Sequence, residues 1–160
     1  MWEWKKFEMD FSRTQSDGVL IRRLRDSQYA WNVSLSDYEL IWYNKVVFVE
    51  LKSTKWKSIN YEQYFSEKQN EMMVEARKVN NMVECWFLLN FRNTKDNETY
   101  YIDIGTFNKI KKESDRKSIS LKQSRAHWKP IKSFKRRTRY DYDEKWILWY
   151  YTKVTEKSIN

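Results

Sequence analysis

Two apolar runs separated by a turn-length polar break constrain the fold of this chain most strongly. Residues 37–42 and 46–52 both have the composition of strands, and Tyr-Asn-Lys at 43–45 lies between them. The break predicts an antiparallel hairpin in which Asp37 of the first strand lies near Glu50 of the second. Because side chains alternate along a strand, Glu50 and Lys52 share one face. The sequence therefore predicts that Asp37, Glu50 and Lys52 converge.

Two carboxylates and one ammonium group suit phosphodiester hydrolysis. Carboxylate oxygens are hard ligands that can bind Mg²⁺ beside a phosphate, and the metal lowers the pKa of bound water. Lys52 would then position or deprotonate that water. The alternative is that Glu50 and Lys52 are a solvated charge pair near the end of a strand, since an acidic residue upstream of Glu-x-Lys is common by chance.

The composition favours a soluble protein with a polyanionic partner. The chain has 160 residues with no internal repeat or linker, so we expect a single domain over residues 1–160. It carries 31 Lys plus Arg against 22 Asp plus Glu, and the formal net charge of +9 favours nucleic acid as partner. With no signal peptide and no apolar stretch of bilayer length, we expect a cytoplasmic protein with no membrane contact.

Cysteine, histidine and aromatic residues narrow the possibilities further. One Cys and one His exclude the common structural zinc sites, and Cys85 lies in an apolar run that predicts a buried thiol. The chain contains nine Trp. Most of these rings should be core, but some could stack on bases, and the sequence does not distinguish the two groups.

Hydrophobic periodicity predicts alternating helices and strands. Helical spacing is found at residues 2–15 and 61–79, with residues 53–60 as a basic polar connector, and strands are expected at 19–24, 82–92 and 99–104. The inward residues of the second helix are expected to be Phe65, Met72, Met73, Ala76 and Val79. Together with the hairpin, this order predicts an α/β fold with a mixed central sheet flanked by helices.

The chain from about residue 109 onward differs from the rest. Basic clusters at 109–117 and 132–139 could follow a phosphate backbone or could be solvated loops. Residues 146–151, Trp-Ile-Leu-Trp-Tyr-Tyr, are too apolar for a free tail and are expected to pack on the domain or on a second subunit. We therefore expect a nuclease core over about residues 5–120 and a basic, Trp-rich C-terminal extension over about 121–160.

A series of short motifs, in order, resembles the RecU-type Holliday junction resolvases. The motifs are Lys-Lys-Phe-Glu at 5–8, Arg-Leu-Arg-Asp-Ser at 23–27, Asp-Tyr at 37–38, Glu-Leu-Lys-Ser-Thr-Lys at 50–55, Gln69, Leu-Leu-Asn-Phe-Arg at 88–92 and Glu-Thr-Tyr-Tyr-Ile at 98–102. These enzymes belong to the restriction-endonuclease-like superfold, also called the PD-(D/E)XK nucleases, whose signature is Asp followed by Glu-x-Lys. The similarity covers roughly residues 5–120.

The resemblance implies a homodimer that binds branched DNA, the four-way junction, and makes paired symmetric nicks with Mg²⁺, for which Mn²⁺ could substitute. It implies that Asp37, Glu50 and Glu8 bind the metal, that Lys52 is the catalytic lysine and that Gln69 completes the catalytic set. The cations expected to contact DNA are Arg23, Arg25, Lys55, Lys57, Lys135, Arg136, Arg137 and Arg139.

The chain departs from the family in one respect, and two alternative functions also fit its sequence. The family usually has a longer loop or stalk between the equivalents of Ser27 and Asp37, whereas this chain has only residues 28–36 there. This departure concerns junction selectivity rather than hydrolysis. The alternatives are another nuclease of the same superfold, acting as an exonuclease or on flaps or mismatches, and a non-catalytic basic module that binds nucleic acid.

Overall fold

The computed structural model describes residues 3–13, 18–24, 34–42, 45–93 and 96–143. In chain order its elements are α1 (Glu3–Ser12), β1 (Leu20–Arg23), β2 (Tyr38–Trp42), β3 (Lys45–Thr54), β4 (Ser58–Asn60), α2 (Tyr61–Tyr64), α3 (Glu67–Val79), β5 (Val83–Arg92), β6 (Asn97–Asp103), α4 (Ile104–Glu113), β7 (Ser118–Ser120), α5 (Leu121–His127), β8 (Lys129–Ile131), β9 (Ser133–Lys135) and β10 (Tyr140–Tyr142).

A six-stranded sheet forms the centre of the fold, in the order β1-β2-β3-β5-β6-β8. Strands β3 and β5 are parallel, and the other neighbours are antiparallel. The β3–β5 pair can be parallel because α2 and α3 supply the long crossover that such a connection needs. The predicted fold class, a mixed sheet flanked by helices, is confirmed. Two short ribbons, β4–β7 and β9–β10, accompany the sheet.

Each face of the sheet packs against helices. On one face, Val47, Val49 and Leu51 of β3 join Phe7 and Phe11 of α1 in a buried cluster. On the other face, Met73 of α3 and Phe107 of α4 belong to a second cluster, which also includes Cys85 with the buried thiol that the sequence predicts. Because successive side chains of a strand point to opposite faces, the sheet separates the core into two layers.

The predicted helix over 61–79 is two helices. The backbone is extended at Phe65 and Ser66, and the Ser66 hydroxyl accepts a hydrogen bond from the backbone N–H of Gln69 to cap α3. Phe65 and Met73 are buried, but the prediction that Val79 faces inward is wrong, since Val79 is 84% exposed. Val79 is the last residue of α3 and lies beyond the part of the helix that packs on the core.

This difference in burial predicts a difference in stability. We expect Met73→Ala to lower the free energy of unfolding by ~2–5 kcal/mol, because Met73 is completely buried and its truncation leaves a cavity. Val79→Ala should change it by no more than about 0.5 kcal/mol. Urea denaturation of the two variants beside the wild type measures both values, and equal losses would contradict the placement of α3.

The basic connector predicted at 53–60 is also wrong in part. Strand β3 continues through Thr54, and Ser53 and Thr54 are buried. The Ser53 hydroxyl donates to Oδ1 of Asn90, which is fully buried on β5, at 2.9 Å. Strand β4 then pairs with β7, so only residues 55–57 remain as a loop. A polar residue such as Ser53 can lie buried within the sheet because a side chain of the neighbouring strand accepts its hydrogen bond.

Segments beyond residue 120 contribute to the sheet and the core. Strand β8 pairs with β6 at the sheet edge, and Tyr142 packs with Phe7 in the first cluster, their ring centroids 5.5 Å apart. The core therefore includes residues that the sequence analysis placed in an extension. The predicted apolar segment 146–151, the turn residues 43 and 44, and Arg25 lie outside the described residues. No helix within the described ranges is both long enough and apolar enough to cross a bilayer.

Candidate active site

The predicted hairpin positions the candidate site. Strands β2 and β3 are antiparallel, with Tyr38 opposite Val49. Asp37 immediately precedes β2, and its carboxylate accepts a hydrogen bond of 2.7 Å from the backbone N–H of Leu51. Asp37 thus lies at the middle of the Glu-Leu-Lys segment, as the sequence predicts. The Leu51 amide was not identified from the sequence, because a backbone donor leaves no signal in residue types.

Glu50 lies at the centre of a hydrogen-bonded group. Its side chain is only 7% exposed. One carboxylate oxygen accepts a hydrogen bond of 2.5 Å from Nζ of Lys52, and the other accepts one of 2.9 Å from Nε2 of Gln69 on α3. The Gln69 amide also donates to the carbonyl oxygen of Ser34 at 3.4 Å. Four of the five predicted catalytic residues, Asp37, Glu50, Lys52 and Gln69, therefore lie together.

The electrostatics of this group centre on Glu50. Burial raises the pKa of Glu50 to about 7, the nearby ammonium of Lys52 opposes this shift, and the negative charge of Asp37 adds to it. The negative charge of Asp37 disfavours ionisation of the buried Glu50, so a proton or another cation beside Glu50 is stabilising. Such a pair suits the binding of a divalent cation.

The raised pKa predicts how stability changes with pH in the absence of metal. Glu50 binds its proton more tightly in the folded state, so stability should fall as pH rises from about 4.5 to about 7. Relative to Glu50→Gln, which cannot ionise, the wild type should lose up to roughly 3 kcal/mol over this range. Urea unfolding in a chelator at several pH values measures the difference, and a constant difference would contradict the assigned environment of Glu50.

Glu8 is placed differently from the other predicted ligands. Its carboxylate accepts a hydrogen bond of 2.8 Å from Arg23, and its backbone carbonyl accepts one of 3.1 Å from the hydroxyl of Tyr38. Burial raises the pKa of Tyr38 to about 12, and the charges of Glu8 and Asp37 contribute in the same direction. Glu8 is thus near the hairpin, but the described residues contain no group of three or more His, Cys, Asp or Glu that could bind a metal ion.

The residues that do converge fit magnesium. Mg²⁺ retains much of its hydration and is usually bound through one or two carboxylates together with phosphate oxygens of the substrate. Asp37 and Glu50 provide two hard oxygen donors in direct interaction, which matches that requirement. Among the described residues no third carboxylate joins these two.

The predicted DNA-binding cations fall into three groups. Arg23 pairs with Glu8, while Lys55 and Lys57 are exposed in the loop after β3. Arg136 and Arg139 both pair with Asp141, so part of their charge is neutralised within the β9–β10 ribbon. Lys135 and Arg137 are exposed at the same ribbon. The loop after β3 is therefore the cationic segment nearest in the chain to the candidate site.

No protein-family model matches this chain, and no curated protein matches it. Among solved structures it is similar to Hjc of Archaeoglobus fulgidus, a Holliday junction resolvase from an archaeal hyperthermophile. The identity is 13%, and the TM-score is 0.48 over 68% of this chain and 80% of that chain. Similarity at this level assigns no role to any residue, and the RecU type stays a prediction.

Proposed function

We propose that this protein is a metal-dependent endodeoxyribonuclease that resolves four-way DNA junctions. The proposal depends above all on one observation, the convergence of the Asp37 and Glu50 carboxylates with Lys52 at the end of the hairpin. A solvated charge pair, the alternative for Glu50 and Lys52, does not agree with side chains that are 7% and 16% exposed. Placing a buried carboxyl beside a second carboxylate and an ammonium group is costly, and a catalytic site is a common reason for that cost.

In this proposal Asp37 and Glu50 bind Mg²⁺, and Glu8 stays a predicted further ligand that would first have to leave its ion pair with Arg23. Bound Mg²⁺ would lower the pKa of a water molecule and neutralise charge on the attacked phosphate. Gln69 fixes the orientation of Glu50 through its amide donor, and the Leu51 amide does the same for Asp37. Lys52, donating to Glu50 at 2.5 Å, can direct its other protons toward the attacking water or a phosphate oxygen.

The substrate and assembly form a second part of the proposal. The net charge of +9 suits a polyanion, and the exposed lysines of residues 55–57 follow directly on the strand that carries Glu50 and Lys52. A four-way junction has near two-fold symmetry, so a homodimer could present two sites to two opposed strands. Sedimentation of the free protein and of its junction complex tests whether two copies bind one junction.

A cleavage assay on three labelled substrates tests the activity. We expect the wild type to nick a four-way junction at symmetric positions with Mg²⁺ or Mn²⁺, and to leave it intact in a chelator. A flap and a linear duplex of the same sequence should be cut much more slowly. Equal cleavage of all three would instead favour another nuclease of the superfold, and binding without cleavage in either metal would favour a non-catalytic module.

A further inference from the structure

One exposed tryptophan lies next to the candidate site. Among the four tryptophans whose side chains the structure describes, Trp86 and Trp128 are 1% and 7% exposed, and Trp42 is half-buried. Trp56, in contrast, is 65% exposed. The structure thus separates core rings from a solvent-facing ring, which the sequence does not do.

The loop that carries Trp56 is fixed at both ends. The backbone N–H of Trp56 donates to the hydroxyl of Thr54 at 3.1 Å, and Thr54 is 2% exposed at the end of β3. The carbonyl of Lys57 accepts a hydrogen bond of 2.8 Å from the backbone N–H of Leu121, beside the β4–β7 ribbon. The ring is therefore presented from a tethered three-residue loop, which lowers the entropic cost of using it in binding.

The surroundings of the ring are cationic. Nζ of Lys55 lies 5.2 Å from the centroid of the Trp56 ring, and Lys57 follows it in the same loop. Lys122, next to the Leu121 that contacts this loop, is also exposed. An exposed aromatic ring in a lysine-rich loop is a combination that suits nucleic acid, in which a base can stack on the ring while phosphates pair with the lysines. These cations favour a polyanionic partner over an apolar protein surface.

The ring is also close to the proposed catalytic group. Glu50, Lys52 and Thr54 are alternate residues of β3 and share one face of that strand. Trp56 follows Lys52 by four residues, so the two α-carbons are at most ~14 Å apart. This is a distance of about four stacked bases along DNA.

We propose that Trp56 stacks on a nucleobase at the branch point of a DNA junction and thereby selects branched over linear DNA. This inference rests on the proposed function for its substrate. At a branch point the flanking bases have a free face, whereas inside a duplex every base is covered by its neighbours. The ring could supply the junction contact for which the short segment 28–36 offers little length.

The test compares Trp56→Ala, Trp56→Leu and Trp56→Phe in the full-length protein. Dissociation constants are measured in a chelator, at one salt concentration, for a four-way junction and for a linear duplex. Loss of a base–aromatic stack should weaken junction binding about 5- to 100-fold in the Ala and Leu variants. The Phe variant should stay within about threefold of the wild type, and duplex binding should change little in all three. Because Trp56 is exposed, all three should unfold at the same urea concentration as the wild type.

Several results would overturn the inference. Equal weakening for junction and duplex would make the ring a general contact, and a Phe variant as weak as the Leu variant would exclude stacking. A change in sedimentation of the free protein in Trp56→Ala would place the ring in a protein interface instead. Because these measurements need no cleavage, a failed nuclease assay with selective junction binding would refute the proposed activity and leave this inference standing.

Discussion

Lys52→Ala should reduce cleavage of a four-way junction by ~10²–10⁴-fold, the usual cost of losing a general acid–base or a charge-stabilising group. Lys52 is a cation that contacts Glu50, one of the two carboxylates proposed to bind the metal, directly at 2.5 Å. Its removal takes away the group that would direct the water or stabilise charge on the phosphate. Single-turnover rates in saturating Mg²⁺ measure the loss, and junction binding should persist.

The same strand offers a matched control for this variant. Lys45 begins β3 and pairs with Glu84 at 3.5 Å, so it is also a lysine in an ion pair with a glutamate, but at the opposite end of the strand. We expect Lys45→Ala to cleave at a rate close to that of the wild type. Comparable losses in both variants, or a Lys52→Ala variant that cleaves normally, would remove Lys52 from the proposed mechanism.

Asp10→Ala should lower the free energy of unfolding by ~3–5 kcal/mol, because it leaves a buried guanidinium without its carboxylate. Asp10 and Arg92 have side chains only 6% and 10% exposed, and they are joined by a contact of 2.7 Å. The same Asp10 oxygen accepts a hydrogen bond of 3.2 Å from the backbone N–H of Tyr140. The variant should therefore loosen α1, β5 and β10 from one another. Denaturant titration measures the loss.

Two further variants make this prediction specific. Glu75 pairs with Lys78 on the surface of α3, where both side chains are more than 65% exposed, at 69% and 66% respectively. Glu75→Ala should change the free energy of unfolding by less than about 1 kcal/mol. The double variant Asp10→Ala, Arg92→Leu should be more stable than Asp10→Ala alone, since the uncompensated charge is gone. An Asp10→Ala protein as stable as Glu75→Ala would show that the pair is not buried.

The hairpin and the central part of the candidate site follow from the order of the amino acids alone. Alternation along β3 put Glu50 and Lys52 on one face, and the short break before it brought Asp37 to their side. These relations are local, because they depend on neighbours within about fifteen residues and on the period of a strand. The order of helical and strand-like segments along the chain predicted the mixed sheet.

Which distant groups meet depends on how the helices and strands pack. In the folded chain the helix predicted at 61–79 is two helices, Glu8 pairs with Arg23, and Tyr142 packs in the core beside Phe7. Trp56 is exposed there, whereas Trp86 is buried. The composition of a segment cannot supply these facts, because the burial of a ring or the partner of a charge depends on which remote surface packs against it, and that is fixed only when the whole chain has folded.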